Sequence, residues 1–285
     1  MIPMAPVVYA INLGIALILA VLLTQYWRDH SASFDIRDWI VAAWVLTFAD
    51  LLFALREVMP YWSARFFPTL LVTVGHGLLL TASRRTAGAS PRPRLIGLAV
   101  LIHAGFLAYF LATDAASSWR TVVNGAIWGP LSAASAYALW TSRLTLQRLT
   151  RFTAVVFVLQ GLFHTYRTAL ALQLIGGGTP QQRYDFVQVL GDVEVSFFMV
   201  ALFVSVLVAY LRLGNQELRE ALADVQQLSG MLPICAWCHN VRDDQGYWTK
   251  IEQYFKEHHV EVTHSICESC QQKHFAGEAP SVTRP

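Results

Sequence analysis

The four cysteines of this chain stand as two matched pairs, Cys235-x2-Cys238 and Cys267-x2-Cys270, with about 28 residues between them. Each C-x-x-C turn can present both sulfurs on one side, and four thiolates close a tetrahedral shell at Zn–S distances of about 2.3 Å. A shell of four sulfurs leaves no open position for a reacting water, so the implied chemistry is structural zinc rather than zinc catalysis. A thioredoxin-type redox pair needs one C-x-x-C at a helix start beside a parallel sheet, and the second matched pair speaks against it. His239 and His264 each stand close to a pair. They could replace a ligand, but hydrogen bonding to the sulfurs or surface packing ranks first. Reduced thiols fit a cytoplasmic location.

The residues between the pairs predict a turn (DDQG), a short strand, a helix (TKIEQYFKEHH) and a strand (VEVTHSI). The stretch CESCQQKHF then reads as a helix carrying its cysteines in the first turn. Knuckle, hairpin and ligand-bearing helix is the order of a treble-clef zinc finger. From Arg212 onward there are seven Lys/Arg against ten Asp/Glu, which disfavours nucleic acid, because phosphate binding needs a basic surface. Asp243, Asp244, Tyr247 and Trp248 form an acidic, aromatic surface suited to a protein partner, with Trp248 as this small domain's core the alternative.

The run GMLPICAWCHNVRDDQGYWTKIEQYF followed by THSICESCQQKHF resembles a C-terminal zinc module of bacterial signalling proteins. There it follows PAS or receiver domains, with a pattern near LPICAxCKKIRDDxGYWxxIExY. The resemblance covers about Gly230 to Phe275, a sixth of the chain. It implies a zinc-binding output or adaptor element without naming an activity. His239-Asn240 replaces two lysines, Ser265 a glycine and Glu268 a proline, while all four cysteines are kept. The part before it resembles multi-span bacterial sensor domains in architecture only.

A second set of chemically capable residues lies in apolar surroundings. Asp50, His76 (in GHG), His103, His164, Arg167, Asp192 and Glu194 fall inside long hydrophobic runs, where an ionisable group is costly and marks a site by default. Gln160, His164 and Arg167 share one helical stripe, and Asp185, Gln188, Asp192 and Ser196 another. Facing stripes would let Arg167 pair with Asp192 instead of leaving either charge bare. The set reads either as a polar pocket for a small ligand or ion, open to the outside, or as helix–helix hydrogen bonds and ion pairs. The histidines could also ligate haem or a transition metal, although a satisfied core position ranks first for each.

The elements that must position these groups are seven apolar runs: Val7–Tyr26, Trp39–Leu55, Phe66–Ala82, Leu95–Thr113, Trp119–Trp140, Phe152–Ile175 and Val187–Leu211. Each is long enough to span a bilayer, in a chain 55% hydrophobic with only 14% charged residues. The fifth is diluted by Asn124, Pro130 and serines. The start, MIPMAPVV, lacks a basic region and a cleavage site, so the first run is expected to be retained. Arg84, Arg85, Arg92, Arg94, Arg143, Arg148, Arg151, Arg212 and Arg219 crowd alternate loops and the segment after span seven. This puts the N-terminus outside. Trp27, Trp39, Trp62, Trp119 and Trp140 fall at span ends as an aromatic belt. Beyond Leu211, Leu218, Val225 and Leu232 continue a seven-residue repeat, the seam of a short coiled coil or of an amphipathic helix lying on the membrane.

The expected fold is therefore an all-α polytopic membrane bundle of seven transmembrane helices (1–211). A coiled-coil signalling helix (212–230), a small α/β treble-clef-like zinc module (231–276) and a disordered tail (277–285) follow. The only lysines lie in the tail, which removes a Schiff-base retinal, and no P-loop, kinase or GxSxG signature is present. The expected function is not enzymatic. It is a sensor of the bacterial inner membrane with a cytoplasmic C-terminal module, a homodimer through the coiled coil, and a cytoplasmic signalling partner. A transporter or ion carrier with a regulatory zinc module and a haem-binding membrane redox protein are the alternatives.

Overall fold

Backbone in hydrocarbon must satisfy its own N–H and C=O groups, so apolar runs of this length fold as helices. The computed structural model describes residues 4–29, 36–113, 117–142, 147–176, 181–229, 233–242, 246, 248–257, 259 and 265–274. Among them are nine helices and one hairpin: α1 (Met4–Asp29), α2 (Arg37–Ala54), α3 (Tyr61–Thr86), α4 (Pro93–Ala112), α5 (Ser117–Trp140), α6 (Gln147–Gly176), α7 (Gln181–Ser229), β1 (Val241–Arg242), β2 (Trp248–Thr249), α8 (Ile251–Glu257) and α9 (Glu268–His274). The chain divides into two compact units, Met1–Glu217 and Leu218–Pro285.

In the first unit, contacts between side chains set the register of an up-and-down bundle. Trp39 Nε1 donates to Thr86 Oγ1 at 3.0 Å and Arg85 pairs with Asp38 at 2.9 Å, so α2 and α3 run antiparallel. Thr153 and Ser205 meet at 3.0 Å between α6 and α7. Helices α1 and α7 run parallel, with Tyr9 Oη donating to Asp192 Oδ1 and Tyr26 Oη to the Tyr210 carbonyl, each at 3.0 Å. The core between them is built from small residues (Ala16, Ala20, Ala42, Ala43) and from Trp39, Phe157, Leu202 and Phe203. Its outer faces carry Ile18, Leu101, Leu159, Leu162 and Phe197 exposed, while Thr73, His103, Ser132 and Gln160 are buried. An apolar exterior around a polar interior is the distribution of a membrane bundle.

Five helices, α1, α3, α4, α6 and α7, are long and apolar enough to cross a membrane. Helices α2 and α5 are not among them. The charges of α2 are Arg37 and Asp38 at its start, neither of them buried, and Asp50, which is buried. In α5 Thr121, Ser132 and Ser135 are buried, while Asn124 is partly buried and Pro130 exposed.

The GHG of α3 has a packing explanation. A Cβ at Gly75 would collide with Leu46 of α2, and one at Gly77 with Ile96 of α4. The two glycines let both neighbours close on α3 and leave His76 at the junction. Helix α7 is unbroken over 49 residues, more than twice the ~20 needed to span hydrocarbon. Along its later part Leu218, Leu222 and Val225 are exposed.

In the second unit, Ile234 bridges Val241, and β1 pairs antiparallel with β2 through Val241↔Thr249 and Arg242↔Trp248. Gly246, between the strands, adopts φ +89, which a glycine accepts without steric cost. The expected strand over VEVTHSI lies mostly outside the described residues, and Ser265 and Ile266 are not in a strand. Helices α8 and α9 bury none of their described residues, and of the described apolar residues from Pro233 onward Val241 alone is buried. Trp248 is half exposed, which corrects the reading of it as this unit's core: a two-residue strand at a hairpin edge has no second layer to bury it. Asp243, Asp244, Tyr247, His264 and the tail 277–285 lie outside the described residues.

Candidate functional site

A cavity of about 400 Å³ lies inside the bundle, lined by residues of α1 to α7. Asp50, His76, His164, Arg167, Asp192 and Glu194 all face it. The helix ends on one side of the bundle supply its mouth, with Arg56 just beyond α2, Arg65 early in α3 and Arg120 early in α5. The middles of α3, α5 and α6 supply its floor, with His76, Trp128 and His164.

His103 stands apart from these, outside the lining. Its Nδ1 meets Thr73 Oγ1 at 2.6 Å and its Nε2 meets Asn124 Oδ1 at 3.0 Å. Trp128 Nε1 donates to the same Thr73 oxygen at 2.9 Å. The amide oxygen of Asn124 only accepts, so His103 Nε2 carries the hydrogen and Nδ1 receives that of Thr73. The chain of bonds is Trp128 to Thr73 to His103 to Asn124. It ties α3, α4 and α5 together and leaves no ring nitrogen of His103 for a metal. His103 is a structural histidine.

His76 is arranged differently. Its Nδ1 lies 2.9 Å from the Val72 carbonyl, an acceptor, so Nδ1 is the donor. The ring is sandwiched nearly parallel to Trp128 and Phe198, with centroids at 5.5 and 6.1 Å. Its other nitrogen, Nε2, is buried without a hydrogen-bond partner. The His164 ring lies 5.9 Å from that of His76, and His164 Nε2 is bonded to Gln160 at 3.0 Å.

The carboxylates are held unequally. Asp192 accepts from Tyr9, which itself accepts from Arg56 Nη1 at 3.0 Å. Asn12 donates to the Asp192 carbonyl at 3.1 Å, and Ser196 bonds Asn12. Glu194 is hydrogen-bonded by Gln160, while its Oε1 is buried without a partner. Asp50 is only 6% exposed, and no hydrogen bond or ion pair reaches its carboxyl among the described residues. Arg167 lies within electrostatic reach of both Asp192 and Glu194, its guanidinium packed where a Cβ on Gly191 would fall. The stripe on α6 does meet α7, through Gln160 with Glu194 and Arg167 with Gly191. The hydrogen bond on Asp192 Oδ1, however, comes from Tyr9 of α1. Asp185 and Gln188, the other members of the expected α7 stripe, have side chains outside the described residues.

Tyr9, Asn12, Arg56, Asn124 and Trp128 were not among the residues the sequence singled out for this site. Asn12 and Asn124 carried a usable signal, since each is a lone amide in an apolar run. Tyr9 and Trp128 carried none, because aromatic residues are ordinary in spans.

The second candidate site is the cysteine module. Cys235 and Cys238 flank a tight turn in which the Cys235 N–H bonds the Asn240 carbonyl at 2.8 Å and the His239 N–H bonds the Cys235 carbonyl at 3.0 Å. His239 takes φ +57 to close it; its contribution is its backbone, and its ring is exposed. Cys267 precedes α9 and Cys270 lies in its first turn. The Cys235 thiol is drawn below its ordinary range by the Cys238 and Trp237 N–H groups and then by the Cys238 side chain. The Cys267 thiol is drawn to about 7, first by the Ser269 hydroxyl and then by the Cys270 N–H. N–H groups aimed at sulfur stabilise thiolate, the form that binds zinc, so each pair is chemically suited to the metal. Among the described residues no three His, Cys, Asp or Glu groups gather closely enough to hold one ion, so the pairs are described as two half-sites.

Compared with protein-family models, with curated proteins and with solved structures, the chain finds no match, and its function follows from its own residues.

Proposed function

We propose that this protein is a membrane sensor of the bacterial inner membrane. Its bundle cavity receives a cue from outside, and its C-terminal cysteine module, in the cytoplasm, passes the change to a signalling protein. One observation carries the reading: α7 contributes Asp192 and Glu194 to the cavity and continues as the same unbroken helix to Ser229. A helix resists bending, so a shift or rotation imposed at the cavity is transmitted along it. All seven helices of the bundle cross the membrane in this reading. The up-and-down register supports it, as does the burial of Thr47 and Asp50 on α2 and of Thr121, Ser132 and Ser135 on α5. The exposed seam of Leu218, Leu222 and Val225 is that of a parallel coiled coil with a second copy of this chain.

Zinc is the cofactor of the proposed module, held by Cys235, Cys238, Cys267 and Cys270, where it supplies structure and no reaction step. The near-absence of buried apolar residues among the described residues of this unit supports the assignment, since a small domain with little core needs a metal or a partner to fold. The Trp237 side chain, 93% exposed between the first two cysteines, adds an aromatic anchor to the partner surface expected at Asp243, Asp244, Tyr247 and Trp248.

The relay is tested by hydrogen exchange on the full-length protein in lipid nanodiscs, comparing wild type with Asp192→Asn. The expected result is altered protection in residues 212–229 as well as around the cavity. A change confined to the cavity helices would sink the relay. Inserting one residue near Gln216, which rotates everything after it by about 100°, is expected to abolish output to the partner.

A further inference from the structure

Three residues that line the cavity carry hydrogen-bond acceptors to which nothing donates among the described residues. The Asp50 carboxyl, on α2, has no partner among the described residues. Glu194 Oε1, on α7, has none either. His76 Nε2, on α3, is the third: the residue is 5% exposed, and because Nδ1 donates to the Val72 carbonyl, Nε2 of the neutral ring carries a lone pair that has no partner. Burying such groups without donors is expensive, and three of them come from three different helices around one space.

The chemistry of what satisfies them is narrow. An anion brings only further acceptors. A bare metal ion needs its ligands gathered within about 2–2.6 Å of one point, and no three such groups converge among the described residues. A neutral hydroxyl brings one donor and no charge. The inner cavity holds three carboxylates, Asp50, Asp192 and Glu194, with Arg167 within electrostatic reach of Asp192 and Glu194 and Arg56 within reach of Asp192. A protonated amine brings up to three N–H donors and a positive charge together. At the mouth the balance reverses, with Arg56, Arg65 and Arg120 against Glu57.

We infer that the cavity binds a small zwitterion of amino-acid type, its ammonium group toward the wall that carries Asp50, Glu194 and His76 and its anionic group toward the arginines of the mouth. The inference rests on the sensor reading only in taking the cavity as the place where the cue binds. The anionic end separates two sources of the same ammonium chemistry, amino acids and simple amines, and the mouth selects the former.

The test is isothermal titration of the full-length protein in nanodiscs at pH 7. The titrants are the twenty amino acids, primary amines of matched size lacking the carboxylate, and carboxylic acids of matched size lacking the amine. Saturable binding of at least one amino acid is expected, weakened about tenfold or more by removal of its amine and by Asp50→Asn or Glu194→Gln. Unchanged thermal midpoints would show that both variants remain folded. The inference is overturned if no amino acid binds, if the amine-free acid binds as well, or if both variants bind like wild type. Simple amines binding as tightly as amino acids would overturn the zwitterion assignment. Amino-acid binding that leaves exchange in residues 212–229 unchanged would instead sink the relay and leave the ligand class standing.

Discussion

The helical bundle and the cysteine module stay folded by opposite means. The bundle has a continuous core from Ala16 to Tyr210, and most of its buried polar groups are paired, as in the run Trp128, Thr73, His103, Asn124. The module's described residues bury little beyond Val241, and Ile234, Trp237, Trp248 and Ile266 are exposed. In the bundle a buried polar group that lacks a partner therefore carries a cost; the hydroxyls of Ser83, Ser132 and Thr168 share it, and Asp50, Glu194 and His76 differ from them in lining the cavity. In the module exposure is the rule, and the informative groups are the four sulfurs.

The contrast can be broken most decisively at the module. Cys235→Ser, or removal of metal with a strong chelator, is expected to lose one zinc per chain and the exchange protection of residues 233–274, with the bundle unchanged. Structural zinc contributes about 10–16 kcal/mol in small fingers, far more than so small a core. A module that stays protected without zinc would end the assignment. Within the bundle, Thr73→Val removes the acceptor of Trp128 and the donor to His103. It is expected to cost about 2 kcal/mol, read as a lower unfolding midpoint in detergent, and no loss would mean that the network is incidental.

A smaller effect sharpens the comparison. Asp50→Asn is expected to leave stability within about 0.5 kcal/mol, since no partner is lost among the described residues. A drop like that of Thr73→Val would make Asp50 a structural residue and remove it from the cavity's chemistry.

Much of this was legible in the sequence, for reasons that differ by region. Apolar length writes helices directly, so all seven runs coincide with helices, with ends displaced by up to six residues, as where α7 begins at Gln181, except that α7 runs on past Leu211 to Ser229. The cost of burying charge made Asp50, His76, His164, Arg167, Asp192 and Glu194 conspicuous, and all of them face one cavity. His103 was equally conspicuous and is structural. Nothing in its neighbours along the chain distinguishes it from His76, because its partners lie 30 residues before it and 21 after it. The low hydropathy of the fifth run came in part from the inner face of α5, where Thr121, Ser132 and Ser135 are buried.

What the sequence determined by itself was composition-driven: where helices form, which segments avoid water, that α7 runs on beyond its apolar part, and that four cysteines stand in two pairs. These follow from local periodicity and transfer energies, which depend on neighbours along the chain. Only the tertiary structure decided which polar groups find partners. Tyr9 reaches Asp192 across 183 residues, Thr73 takes His103 out of the cavity wall, and His76 keeps its second nitrogen free. Hydrogen bonds are satisfied in space, at about 3 Å and with direction, so the difference between a structural histidine and one that faces a cavity exists only once the helices are packed.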